Sequence, residues 1–277
     1  MHEAAGDAIG VRCHYQLIEV FGAAHVELGR LFDGVRRLGF AGVNVTYPYK
    51  EAAVPLLDEL APAAKAIGAI NTVVVCDGRL VGHNTDSTGF RSAVRPLVEQ
   101  SGRGPVALIG AGGVGKAIAF ALAELAIADL RVFDADPTKT ADLVARLAGR
   151  VRTTPCATAA EALIDAVGVV NATPVGMTPD RSAPIAAGLL RADQFVADAV
   201  YSPLWTPLLL AARAVGAKTM TGRDLAVHQA ADAFELFTGV RPPEDVLGRA
   251  FDAVMAARNR DAASPLAGRS DEGGRTK

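Results

Sequence analysis

Residues 106–117, VALIGAGGVGKA, decide the fold of the second half of the chain. Residues 106–109 form an apolar run that predicts a buried strand, and glycines in G-x-G-x-x-G register follow it at once. Such glycines permit a tight turn, close approach of the backbone to a pyrophosphate, and close packing of the next helix, whose first amides face the phosphates. The stretch therefore predicts a dinucleotide site made of Gly110, Ala111, Gly112, Gly113, Val114 and Gly115.

The residues on both sides of this motif alternate between strand and helix patterns. Strands are expected at about 106–109, 129–133, 167–171, 195–200 and 217–220, with a further short strand possible near 151–154. Helical segments lie between them. This alternation predicts an α/β fold with a doubly wound parallel sheet of the Rossmann type.

Asp134 ends the next predicted strand, LRVFDAD, nineteen residues after Gly115. A carboxylate at this place can accept hydrogen bonds from both ribose hydroxyls and would repel a 2′-phosphate. No arginine stands in FDADPTKTAD to receive such a phosphate, although Lys139 could reach one. The sequence therefore favours NAD as cofactor, with NADP less favoured.

The first half of the chain has a different pattern. QLIEV at 16–20, an apolar helical stripe over 28–38 and GVNVT at 42–46 predict a βαβ unit. A short helix broken near Pro55 and a second helix around 57–66 are expected next. INTVVVC and LVGHN, joined by Asp77-Gly78, then predict a hairpin.

EQSGRGP at 99–105 interrupts the preceding helix and marks a domain boundary. We expect a substrate-binding α/β domain over 1–103, the dinucleotide-binding domain over 104–222, and two helices within 223–257 that pack back toward the first domain. The polar, Gly-rich residues 258–277 are expected to be disordered.

Composition excludes several classes of protein. The formal net charge is −2 and the basic residues are scattered, which argues against a nucleic-acid partner. No apolar run approaches the roughly 20 residues of a membrane span, and no targeting segment is evident. The three cysteines lie too far apart in sequence for a disulfide framework or a metal site. A cytoplasmic protein without a bound metal is expected.

Two short segments carry candidate chemistry. In VNVTYPYKEAA (43–53), Lys50 follows a predicted strand near the start of a helix whose first turn is set by Pro48; alternatively, it is an ordinary surface lysine. In GHNTDSTGF (82–90), Asp86 lies between a strand and a helix, where a simple N-cap is the alternative.

Seven motifs in order resemble the shikimate dehydrogenase family, and in particular its NAD-preferring quinate/shikimate branch. They are NVTYPYKE, AINTVV, GHNTDSTGF, GAGGVGKA, NATPVGM, DAVYSP and HQAADAFELFTG. The resemblance extends from residue 1 to about 257. It implies hydride transfer between NAD(P) and the ring C3 hydroxyl or ketone of shikimate or quinate, in a monomer or homodimer.

The same resemblance assigns residues. It implies that Lys50 and Asp86 form the catalytic pair. The substrate, a small cyclic polyol carboxylate, would be contacted by Thr46, Asn71, Asp86, Tyr201 and Gln229. The cofactor would be contacted by Thr173, Met177 and Gly222 in addition to the glycine motif.

The start of the chain departs from the family pattern. MHEAAG resembles the helix that follows the family's first strand and its Ser-x-Ser or Ser-x-Thr segment, so both of these are missing from this sequence. Those hydroxyls would hold the substrate carboxylate. We expect a start codon assigned too far downstream; the alternative is a short form with impaired activity.

Two other functions stay open at the level of sequence. One is a different Lys/Asp Rossmann dehydrogenase, for instance one acting on a methylene-folate, which GHNTD and HQAADAF disfavour. The other is an NAD-binding member of the same family that is inactive because its N-terminus is truncated.

Overall fold

The computed structural model describes residues 1–20 and 25–263, which form two sheets flanked by helices. The helices are α1 (His2–Ile9), α2 (His25–Arg37), α3 (Pro62–Ile67), α4 (Thr85–Gln100), α5 (Gly113–Glu124), α6 (Pro137–Arg146), α7 (Ala159–Ala162), α8 (Pro207–Ala214), α9 (Gly222–Thr238) and α10 (Glu244–Ala263). The strands are β1 (Gly42–Asn44), β2 (Glu59–Leu60), β3 (Thr72–Cys76), β4 (Arg79–His83), β5 (Pro105–Ile109), β6 (Asp129–Phe133), β7 (Thr153–Pro155), β8 (Gly168–Asn171), β9 (Phe195–Asp198) and β10 (Lys218–Met220).

The second half of the chain forms a six-stranded parallel sheet in the order β10-β9-β8-β5-β6-β7. Every predicted strand of this half is present, including the short one near 151–154, now β7. The order reverses between β5 and β8, and ligands of doubly wound sheets bind at such a switch point. The predicted Rossmann-type fold is confirmed.

Continuous apolar runs explain the burial of this sheet. All four residues of β8 and of β9 are buried, as are the last four of β5, and α5 covers one face with an unbroken buried stretch, Gly115–Leu122. Strands buried on both faces read as near-continuous hydrophobic sequence. This core holds the glycine loop rigidly at the end of β5.

The first half forms a four-stranded sheet in the order β1-β3-β4-β2. β3 and β4 form the predicted antiparallel hairpin. Asp77 and Gly78 connect them with φ values of 49° and 75°, the left-handed conformation that a two-residue type I′ turn requires.

The strand predicted at 16–20 is wrong, and so is the βαβ unit built on it. Residues 11–20 have no regular secondary structure, and the side chains of Leu17 and Ile18 are exposed. A strand needs a neighbour for its backbone groups, and among the described residues β1 pairs with β3 alone. The alternation of apolar and polar residues in one segment does not show whether a neighbouring strand is present to pair with it.

The predicted helix at Lys50 is also wrong. Residues 47–53 form successive turns that lead into one turn of 3-10 helix, Val54–Leu56. Ala53 donates one helical hydrogen bond to Tyr49 O (3.0 Å), but Pro55 has no N–H with which to extend the ladder. The helix predicted at 57–66 is shorter, since β2 precedes it and Pro62 begins α3.

The two closing helices return to the first half of the chain. α9 packs along α4, and a cluster of buried apolar side chains joins α9 and α10 to Ala5 of α1. Of the tail predicted to be disordered, residues 258–263 instead continue α10, and residues 264–277 lie outside the described part. No helix in the described ranges is long and apolar enough to cross a membrane.

Candidate active site

A cavity of about 310 Å³ lies between the two sheets. Both halves of the chain line it, together with the helix that returns from the second half to the first. The predicted site residues on its wall are Thr46, Lys50, Asn71, Asp86, Val114, Tyr201, Gly222 and Gln229. The structure thus brings together every predicted catalytic and substrate residue.

Lys50 and Asp86 form an ion pair on this wall, with Nζ 2.5 Å from Oδ2. Only 13% of the lysine side chain and 7% of the aspartate side chain are exposed. Burial removes water that would otherwise weaken the attraction, so each charge stabilises the other. The surface-lysine alternative for Lys50 is therefore excluded.

The start of α4 positions Asp86. Asn84 is the N-cap: its side-chain oxygen accepts a hydrogen bond from Ser87 N (3.1 Å), and its amide donates to Ala69 O (2.9 Å). Asp86 therefore lies within the first helical turn, where the helix dipole favours a negative charge. Asn84 rather than Asp86 caps the helix, and the Asp86 carboxylate bonds to Lys50. The N-cap alternative for Asp86 is therefore excluded.

Asn71 connects these groups. Its amide nitrogen donates to Asp86 Oδ1 (3.0 Å) and to Thr85 Oγ1 (2.9 Å), and its oxygen accepts from Thr85 N (2.7 Å). The same nitrogen lies 3.4 Å from Oε1 of Gln229 on α9. A buried amide with this many partners is rigid, so Asn71 fixes Asp86 and links it to Gln229.

Thr46 and Tyr201 complete the predicted substrate residues. Thr46 follows β1 just before the turns that carry Lys50, and Tyr201 reaches the cavity from the loop after β9. The Tyr201 ring packs edge-on against Phe251 of α10, with centroids 5.9 Å apart. Its hydroxyl-bearing ring is thereby held at the cavity mouth while 44% of the residue stays exposed.

The glycine loop after β5 has the predicted geometry. Gly110 adopts φ 101°, which L side chains rarely reach. A Cβ added at Gly115 would strike the carbonyl oxygen of Gly110, so the helix can approach the loop only because residue 115 is glycine. α5 then begins at Gly113 with its amides toward the loop. These features fit a nucleotide pyrophosphate.

Asp134, at the end of β6, accepts hydrogen bonds from Ala111 N (2.7 Å) and Asp136 N (2.9 Å). Its carboxylate therefore also holds the glycine loop. The loop after β8 packs on the other side, where Thr173 lies against Gly110. Met177 is exposed, and neither it nor Thr173 lines the cavity. Val114 and Gly222 are the two predicted cofactor residues that do.

A corner of the cavity was missed at the sequence level: His2, Tyr15 and Asn44. Asn44 Oδ1 accepts from Tyr15 Oη (2.9 Å) and lies 3.2 Å from His2 Nε2. Asn44 Nδ2 donates to Thr72 Oγ1 (3.0 Å), which ties the corner to β3. The polar Asn44 within the apolar run of β1 was the one available signal.

His2 provides a test of this corner through pH. The ring is 7% exposed, and burial, opposed by the Asn44 hydrogen bond, lowers the pKa of His2 to about 4. An unfolded histidine takes up its proton near pH 6.5, so the stability present above that pH is lost as the pH falls toward 4, by about 3 kcal/mol. Urea unfolding at pH 7 and at pH 4 should show that the wild type loses about 3 kcal/mol relative to His2→Gln over this range. Parallel curves for the two proteins would contradict it, and the exposed His14→Gln is the control.

Comparison with known proteins agrees with this arrangement. Residues 1–73 match a family model described as the shikimate dehydrogenase substrate binding domain. Residues 220–247 match one described as the shikimate 5'-dehydrogenase C-terminal domain. The two matches cover the segments that supply Lys50 and Gln229.

Whole-length relatives give the same result. A shikimate dehydrogenase (NADP(+)) of Streptomyces avermitilis is 43% identical over 87% of this chain and 86% of its own length. A quinate/shikimate dehydrogenase (NAD(+)) of Corynebacterium efficiens is 42% identical over 87% and 88%. The structure of quinate dehydrogenase from Corynebacterium glutamicum in complex with NAD superimposes with a TM-score of 0.83 at 38% identity, covering 91% of this chain and 92% of that one. With this identity over most of its length, the chain belongs to the shikimate dehydrogenase family.

Proposed function

We propose that this protein is an oxidoreductase that interconverts a secondary alcohol and a ketone on the ring of quinate or shikimate, with NAD as the favoured cofactor. The buried Lys50–Asp86 pair carries the proposal, because it faces a cavity that Val114 of the cofactor-side helix α5 also lines. Residues 1–103 would supply the catalytic pair and most of the substrate groups, and residues 104–222 the nucleotide groups together with Tyr201. Gln229 would come from α9.

The proposed chemistry separates a proton from a hydride. A bound nicotinamide would accept the hydride from the alcohol carbon. A neutral Lys50 amine would accept the hydroxyl proton and become the ammonium that pairs with Asp86; in the reverse direction that ammonium donates its proton to the forming alkoxide. Asn71 keeps the Asp86 carboxylate in place throughout, since its amide donates to Oδ1 while Lys50 bonds to Oδ2.

The cavity wall supports a polyol substrate. Thr46, Asn71, Tyr201 and Gln229 present hydroxyl and amide groups around the ion pair. An analogue that lacks a ring hydroxyl would leave one of these polar groups, covered by the bound ring, without a partner, which is how polar sites reject such analogues. The alternative of a folate-type dehydrogenase would require a flat aromatic ring to lie against the same polar groups.

The preference for NAD rests on Asp134. Its carboxylate stands where an adenosine ribose would bind, next to the glycine loop, and would repel a 2′-phosphate. Relatives of both cofactor types are similar to this chain. Asp134 is thus the residue that argues for NAD in this chain.

Exchanging Asp134 for asparagine should reduce the preference for NAD over NADP. The amide oxygen can still accept from Ala111 N, so the bond that holds the glycine loop is kept. The bond from Asp136 N is lost and the repulsive charge is removed. We expect the ratio of kcat/KM for NAD to that for NADP to fall roughly tenfold, as for the loss of one charged contact. Asp136→Asn, at the neighbouring cap of α6, is the control. An unchanged ratio would remove the argument for NAD.

The function is tested by reduced-nicotinamide absorbance on mixing the purified chain with quinate or shikimate and either NAD or NADP. Turnover with NAD would establish the reaction and rank the two substrates. Absence of turnover with all four combinations, together with measurable NAD binding, would favour the alternative of an inactive NAD-binding protein of this family.

A further inference from the structure

Lys116 lies on α5, three residues beyond Gly113, on the cofactor side of the cleft. Its side chain is 7% exposed, and its ammonium pairs with two carboxylates from different parts of the fold. Nζ is 2.8 Å from Oδ2 of Asp142, on the neighbouring helix α6. It is also 3.1 Å from Oε2 of Glu51, which follows Lys50 directly in the chain. One buried cation thus links the nucleotide helix to the segment that carries Lys50.

The pairing accounts for a lysine that is otherwise costly to bury. An ammonium in this position needs compensating negative charge, and both carboxylates provide it. Burial alone would raise the pKa of Asp142, but hydrogen bonds from Lys116 and Arg146 outweigh it and hold that pKa below its usual range. Asp142 is therefore ionised at neutral pH and pairs with Lys116 within the second half of the chain. Glu51 is the second partner of Lys116 and belongs to the first half.

Two further contacts hold Lys50 itself, one through its backbone and one through its Cβ. Ile70 N donates to Lys50 O (2.9 Å), which fixes the segment to the entrance of β3. On the opposite side, a Cβ added at Gly113 would lie 3.3 Å from Cβ of Lys50, so the start of α5 packs directly on this residue. Glu51 adds a directional bond to that packing.

We propose that Lys116 is a positioning residue: by holding Glu51, it fixes the backbone from which Lys50 projects and couples it to the helix that faces the cofactor. The inference rests on the proposed function, since it concerns how Lys50 meets a substrate oriented toward the nucleotide side. Lys116 acts through Glu51 and contacts neither substrate nor reacting atoms. Small displacements of a reacting group are costly to rate, which gives the link its effect.

A matched pair of variants separates this role from general stabilisation. Glu51→Gln and Asp142→Asn each replace one charged partner of the same ammonium by a neutral amide, but only the first weakens the link to the Lys50 segment. We expect Glu51→Gln to lower kcat roughly tenfold and to raise the primary deuterium isotope effect on kcat, with the Kd for NAD unchanged. Asp142→Asn should remain within about twofold of the wild type.

Lys116→Met should reproduce the Glu51→Gln effect, and Lys116→Arg should restore most of it. If Lys116→Met does not fold, Glu51→Gln still tests the link, since 45% of the Glu51 side chain is exposed. A fall in NAD affinity as large as the fall in kcat would overturn the proposal, because Lys116 would then act on the nucleotide. Equal losses in Glu51→Gln and Asp142→Asn would also overturn it.

Amide hydrogen exchange tests the link without any reliance on activity. Exchange of residues 46–53 should quicken in Glu51→Gln and not in Asp142→Asn, while β4 stays unchanged in both. Unchanged exchange of 46–53 in an active enzyme would overturn the positioning role alone. Faster exchange in a chain whose wild type turns over neither quinate nor shikimate would support the link and overturn the proposed function.

Discussion

Replacing Lys50 with methionine is expected to lower kcat by about a thousandfold, within the range that general acid–base groups contribute. Methionine keeps the length and most of the apolar contacts of the side chain but can neither donate nor accept the hydroxyl proton. The substrate and the nucleotide would still bind, since the Asn71 and glycine-loop contacts are retained. Steady-state kinetics with quinate or shikimate, and calorimetric titration of NAD, measure the two quantities separately.

Lys65→Met is the control for this substitution, because Lys65 is an exposed lysine on α3 of the same half of the chain. It should leave both quantities unchanged. A Lys50→Met protein that loses NAD affinity in proportion to kcat would count against the acid–base role, because the lysine would then serve the cofactor. Retention of full turnover would remove Lys50 from the chemistry altogether.

The second half of the fold could be predicted from sequence because each of its elements has its own local signal. Parallel strands buried on both faces are continuous apolar runs, and the glycine motif fixes the junction of β5 and α5. The first half depends on contacts between segments distant in sequence. Residues 16–20 have the alternating pattern of a strand, yet none of the described strands pairs with them. The pattern therefore predicted a strand that the structure does not form.

In the candidate site, too, residues within local motifs could be predicted, whereas contacts between distant segments could not. Lys50 and Asp86 were identified from motifs, but their 2.5 Å contact joins residues 36 apart in sequence. The link through Asn71 to Gln229 spans 158 residues, and no local pattern encodes it. His2 and Tyr15 were missed for a related reason: a lone histidine and a lone tyrosine have no spacing that indicates a cavity. The tertiary fold alone makes them neighbours of Asn44.

Asp198, at the end of β9, connects the two loops on the nucleotide side of the cleft. It is fully buried and accepts hydrogen bonds from Thr206 Oγ1 (2.6 Å), Val200 N (2.9 Å) and Asn171 Nδ2 (2.9 Å). Asn171 in turn accepts from Thr173 N (3.0 Å). One carboxylate therefore fixes both the loop after β8 and the loop that carries Tyr201.

Replacing Asp198 with alanine should lower the free energy of unfolding by about 4 kcal/mol, because three buried donors lose their acceptor and each costs roughly 1–3 kcal/mol. That is a large part of the 5–15 kcal/mol of a typical protein. Urea unfolding at pH 7 measures the change. Asp180→Ala is the matched control: Asp180 accepts from Gly176 N (3.1 Å) and Ser182 in the neighbouring loop but is exposed, so water can replace it. Equal losses for the two variants would show that burial does not decide the effect.

Asp198→Asn then isolates the charge. Burial, opposed by the Thr206, Val200 and Asn171 hydrogen bonds, raises the pKa of Asp198 to about 6. A carboxyl whose folded pKa lies above its unfolded value stabilises the fold below about pH 4 and loses that contribution as the pH rises through 6. Between pH 4 and 6.5 the wild type should therefore lose about 3 kcal/mol relative to Asp198→Asn, opposite in sign to the His2 effect over the same range. A constant difference between the two proteins across this range would mean that Asp198 is ionised in the fold throughout, held so by its three donors.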